Sequence, residues 1–237
     1  MRPDVRMLWL RYLAAERDGY RPRSLAVLSD LLDAVVSVDD RDQLAEAAFR
    51  AYERGDGTRM GPRQPLITRV LRPYVQDHIT EPQVLWWAMR TCTINDEQLQ
   101  MYREYDRIGG SAMAGAITYA ILVTGQPRWW QKLLTFRLGL IDFATEHLDE
   151  GRISGGALAE CVIQLCAAVA IADQAPAGTI GPAQRGELRE LWSLLRDWLR
   201  YDEARRPGGD FPSWCRDQGS DHWVARCTGP LHFYYQR

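Results

Sequence analysis

A chain of 237 residues with 46% hydrophobic and 25% charged side chains can bury a sizeable core, and this composition excludes disorder on a domain scale. The formal net charge of −2 excludes a global field that would steer the chain to nucleic acid or to a membrane surface. Its longest uncharged apolar stretches, Gly109–Gly125 and Cys161–Ala172, fall short of the roughly 20 residues of a spanning helix, and no basic-then-apolar leader opens the chain.

Val5, Leu8, Trp9, Tyr12 and Leu13 share one face at helical spacing and predict a first helix over about Asp4–Arg17. A second runs from about Arg23 to Ser37 with Leu25, Leu28, Leu32 and Val35 inward, and a third from about Asp40 to Arg54. Gly55 to Pro65 is rich in Gly and Pro and is the best place for a domain boundary in what otherwise reads as one helical domain. Pro73 should kink or split the helix that starts near Leu66. Thr80 with Gln83, and Asn95 with Gln98, have capping-box spacing and predict short helices near Glu81–Arg90 and Asp96–Arg107. Ile117–Val123 has strand propensity, but no partner strand is evident nearby, and a helix is favoured.

The rest of the chain is expected to pack around two long helices joined at Gly151. The first, about Pro127–Asp149, has Trp130, Leu134, Leu138, Ile141 and Leu148 on one face and Phe136, Leu140, Phe143 and His147 on another. The second carries Cys161–Ala172, in which Gln164 is the sole polar residue, and it is expected to be buried on every side. A last long helix begins near Pro182, with Leu188, Leu191, Trp192, Leu195, Trp198 and Leu199 as its apolar pattern. From 207 onward the tail is aromatic and is expected to dock on the helices, and the stretches flanking Thr228-Gly229-Pro230 are compatible with a small hairpin. The fold expected is all-α, a multi-helix bundle or short helical-repeat-like stack of about ten helices. Trp86-Trp87 and Trp129-Trp130, 43 residues apart, are the only trace of a repeat.

Chemistry-bearing motifs are sparse. Cys215, His222, Cys227 and His232 are zinc-type ligands, but none lie in the close pair that compact zinc modules use, and no metal or cofactor is expected. The five cysteines make no even disulfide framework, which favours a reducing compartment and a cytoplasmic protein. Asp142, Glu146, His147, Asp149 and Glu150 form an acidic helix end without the Glu-x-x-His of a di-iron site. Gly109-Gly110-Ser111 could open an anion-binding helix start, although no P-loop lysine follows.

Lys132 is the one lysine among 29 basic residues, a bias that a GC-rich coding sequence produces. Arginine and tryptophan are nonetheless the residue types enriched at interface hot spots. Adjacent helical residues diverge by about 100°, so one Trp of each pair should reach the surface. Trp86, Trp129, Arg59, Arg63, Arg69 and Arg72 are therefore the candidate partner-binding residues. The expected function is a non-catalytic helical binding protein that engages another protein, as an inhibitor, adaptor or immunity-type protein does. The alternative is an enzyme or small-molecule binder with a pocket between helices.

Overall fold

The computed structural model describes residues 1–56, 61–91, 93–145, 158–204 and 210–220. Every regular element among them is helical, so the chain is all-α and multi-helical. Packing divides it into two compact units, Met1–Arg103 and Glu104–Arg237. Arg63, at the end of the Gly/Pro stretch, is tied to the first unit by its guanidinium, which reaches the Glu16 carboxylate at 3.1 and 3.3 Å.

In the first unit, α1 (Pro3–Arg17) packs on α2 (Arg21–Ala34) and α3 (Val38–Arg54). Their shared core is Val5, Trp9, Tyr12, Leu28, Leu31, Leu44, Ala48 and Phe49. Ser37 caps α3 by accepting from the Asp40 N–H at 3.1 Å, and Gly55 closes it in the left-handed region at φ 75°. The Pro73 region does not split. α4 (Gln64–Leu66) continues through a π-helical segment, Ile67–Leu71, into α5 (Arg72–His78). The wider turn relieves the clash that a proline ring makes with the carbonyl four residues back. α6 (Pro82–Arg90) and α7 (Asp96–Arg103) complete the unit. The capping box predicted for α7 is present: Asn95 Oδ1 accepts from the Gln98 N–H at 2.9 Å, and the Asn95 N–H donates to Gln98 Oε1 at 3.2 Å. The N-cap of α6 is Glu81 rather than Thr80, and it makes no side-chain capping bond.

In the second unit α8 (Ala112–Thr124), α9 (Pro127–Thr145), α10 (Leu158–Gln174) and α11 (Pro182–Ala204) pack each on the next, and α12 (Phe211–Asp217) packs on α11. The 117–123 run is therefore helix. The part of the tail that is described docks as expected: Phe211 and Cys215 are fully buried, with the Phe211 ring edge-on to Trp198 at 4.9 Å. The hairpin considered around 228–230 and the junction at Gly151 lie outside the described residues.

Two sequence readings are corrected here. α10 is not buried on every side: Cys161, Gln164, Leu165, Ala168, Ile171 and Ala172 face inward, while Ile163, Cys166, Val169 and Ala170 are exposed. A helix lying on one layer of neighbours buries one stripe, and its outer side faces water whatever residues stand there. α9 buries one of its two expected apolar faces, that of Leu134, Leu138 and Ile141, and leaves Leu140 and Phe143 of the other exposed. Its inward face is Trp129, Leu133, Leu134, Arg137, Leu138 and Ile141, and Phe143 is exposed. The buried face also carries Arg137, a charged residue that the fold takes inside.

Candidate partner-binding groove

Arg137 organises the interior of the second unit. Its Nη2 donates to Asp106 Oδ1 at 2.5 Å and its Nη1 to Gln164 Oε1 at 2.5 Å, while Gln164 in turn donates to Glu160. Asp106 also accepts the N–H groups of Ile108 at 3.3 Å, Gly109 at 3.4 Å and Ser111 at 2.8 Å. The Gly-Gly-Ser loop thus does receive an anion, and the anion is the chain's own Asp106. Burial favours the neutral acid, but the Arg137 guanidinium and the Ser111 N–H outweigh it and hold the carboxyl below its usual range. A side chain on Gly109 would meet Gln164 Nε2 at 2.9 Å, which explains the glycine. Asp106, Arg137 and Gln164 are buried and the Asp106 carboxylate has several donors, so the cluster braces α9, α10 and the loop before α8.

That brace fixes α10, and α11 is then laid against it by a short connection. Gly178 supplies a left-handed turn at φ 79°, Gln131 on α9 donates to the Thr179 carbonyl at 3.0 Å, and the Gly181 N–H donates to Gln184 Oε1 at 3.1 Å. Arg185 clamps the two helices together, donating to the Ala172 carbonyl and to Asp173 Oδ1 at 3.2 Å. The small Ala172 leaves a depression between the helices.

The result is an open groove of about 490 Å³ between α10 and α11. Val169, Ala172, Leu188 and Trp192 give it apolar walls, and Arg185, Arg189, Arg196 and Asp173 stand around it. Trp192 is 49% exposed and Val169 38% exposed. Arg189 makes no ion pair or hydrogen bond among the described residues, and Arg196 reaches only Ser193 Oγ at 3.1 Å and Asp197 at 3.8 Å. Along α11, Arg185, Arg189, Trp192, Arg196 and Leu199 are spaced i, i+4, i+7, i+11 and i+14 and so lie on one stripe. The exposed apolar stripe of α10 runs into the groove at Val169.

The residues singled out in the sequence lie elsewhere, and most are engaged within the chain. Trp129 is fully buried, with the Arg128 guanidinium 4.9 Å and the Lys132 ammonium 5.8 Å from its ring centre. It is therefore not a surface anchor; the half-buried member of its pair is Trp130. Trp86 is half-buried beneath the Arg90 guanidinium at 5.6 Å, while Trp87 stacks on Phe49 at 5.3 Å and donates to Glu53 at 3.0 Å. Arg63 is held by Glu16, in a cluster where burial and the Glu16 charge push the Tyr12 hydroxyl up to about 12. Arg69 pairs with Asp33 at 3.2 Å and donates to the Leu32 carbonyl at 3.1 Å. Arg72 is exposed beside a polar depression of about 320 Å³ lined by Gln76, Thr93, Asn95, Asp96 and Gln98. Arg59 lies outside the described residues, as do Glu146 to Glu150 and the set His222, Cys227 and His232. Among the described residues no three metal-ligating side chains converge, and no helix is long and apolar enough to cross a membrane.

Sequence reasoning missed the groove although its signal was present. The wide apolar pattern of α11 pulled Trp192 and Leu199 into the expected core, and three arginines sharing their stripe were the contrary sign. Comparison with protein-family models, with curated proteins and with solved structures finds no match to this chain.

Proposed function

We propose that the chain is a non-catalytic binding protein, of the inhibitor, adaptor or immunity kind, that engages a protein partner through the α10–α11 groove. The observation that carries this reading is Trp192, half exposed on an apolar floor and framed by Arg185, Arg189 and Arg196. Trp and Arg dominate interface hot spots because each joins a large contact area with a directional polar group. The groove is open, and its one internal ion pair, Arg185–Asp173, ties α11 to α10 rather than facing an enclosed reaction space.

The test is affinity capture of the full chain from cells, with Trp192→Ala and Arg189→Ala run in parallel. A protein recovered by the wild type and lost from both variants is expected. The reading fails if every captured protein survives both substitutions, or if the wild type turns over a small molecule and does so unchanged when Trp192 is replaced.

A further inference from the structure

Resting on that reading, we infer that the segment this groove receives is an amphipathic α-helix of about three turns, apolar on one face and acidic along its flanks. The shape comes first. The lining of α11 extends from Arg185 to Arg196, eleven helical steps, which is about 16 Å at the rise of an α-helix. A groove between two helices is the seat that a third helix fills by ridge-and-groove packing, with apolar anchors at i, i+3, i+4 and i+7. Val169, Ala172, Leu188 and Trp192 form an apolar strip for such anchors, with Trp192 as the large flat contact.

The charge decides the flanks. The lining holds three arginines against one aspartate, and that aspartate is already paired with Arg185. Among the described residues Arg189 has no partner and Arg196 is only loosely engaged, so both guanidinium groups can take carboxylates. A basic-flanked helix would set like charges against both, and an uncharged one would leave both without partners. The chain's overall charge of −2 makes this basic strip a local feature that runs against the molecule's own balance. Docking also covers Val169, where the exposed α10 stripe enters the groove.

The probe is a fluorescein-labelled amphipathic peptide of about 12 residues with leucine anchors and glutamate flanks, titrated against the full chain by anisotropy. Its counterparts carry lysine flanks or a scrambled order. Saturable binding of the glutamate peptide is expected, accompanied by a gain of helical circular dichroism and weakened by added salt. Trp192→Ala, and separately Arg189→Glu with Arg196→Glu, should each weaken it about tenfold or more, the loss typical of a hot-spot side chain. Because all three side chains are exposed, thermal melts of these variants should match the wild type. Equal binding of the lysine or scrambled peptide would overturn the inference. So would indifference to the charge reversal, saturation of the groove by oleate in place of the peptide, or groove-dependent self-association in sedimentation. If capture from cells depends on Trp192 while the glutamate peptide does not bind, the partner's chemistry is wrong and the groove reading stands. If capture ignores Trp192, the groove reading itself falls.

Discussion

Arg137 is 3% exposed, yet it is a permanent cation, and its place inside depends on the Asp106 carboxylate at 2.5 Å and on Gln164. Removing one partner of such a pair leaves an uncompensated charge in the interior, a loss of about 3–5 kcal/mol. Arg137→Met should therefore lower the stability of the second unit by about that amount, read from urea unfolding. Asp106→Asn tests the same pair through pH. The folded-state pKa of Asp106 is depressed, so its contribution is fully present above the ordinary carboxyl range, near pH 4, and is lost as pH falls through the folded value. The stability gap between wild type and Asp106→Asn should be widest at neutral pH and close in acid. A gap that stays constant from neutral pH to pH 2 would mean that the carboxylate charge is not what holds Arg137.

α10 shows at the level of an element what a residue pattern can and cannot convey. Because nearly every side chain from Cys161 to Ala172 is apolar, the sequence carries no periodic mark of which face turns inward, and burial on all sides was the natural expectation. The structure gives Leu165 complete burial and leaves Ile163 42% exposed two positions away. Leu165→Asp should unfold the second unit, since it sets an unpaired carboxylate in the core, whereas Ile163→Asp should leave the melting temperature nearly unchanged. Equal loss from both substitutions would restore the fully buried helix. The existence, order and type of the helices up to α11 were legible, as was the Asn95–Gln98 cap, because these depend on local spacing and capping chemistry. Which of the two apolar faces of α9 stays outside was not. The face taken inside carries Arg137, whose carboxylate partner stands 31 positions earlier in the chain. No local pattern carries that pairing. The ion pairs of the candidate residues were hidden for the same reason: Arg63 and Arg69 look like free cations until Glu16 and Asp33 are brought beside them.

Among the described residues, tryptophan and arginine are mostly engaged within the chain. Trp9, Trp87, Trp129 and Trp198 are buried, and among the described residues Trp192 is the one tryptophan that is exposed. Composition alone therefore does not say which tryptophans reach the surface. Each unit also has its own apolar interior, built around Leu31, Leu44, Phe49 and Leu85 in the first and around Ile117, Trp129, Leu134 and Leu165 in the second. Cooperativity follows from a shared core, so a chain with two cores need not unfold in one step. Leu44 and Leu134 are both fully buried, and replacing either with alanine should cost about 2–5 kcal/mol through lost transfer energy and the cavity left behind. Two transitions in urea are expected, followed by circular dichroism and tryptophan fluorescence together. Leu44→Ala should move one of them to lower denaturant and leave the other in place, and Leu134→Ala should do the reverse. A single transition shifted equally by either substitution would show that the two units unfold as one, and Arg137→Met would then be felt by the entire molecule rather than by residues 104–237 alone.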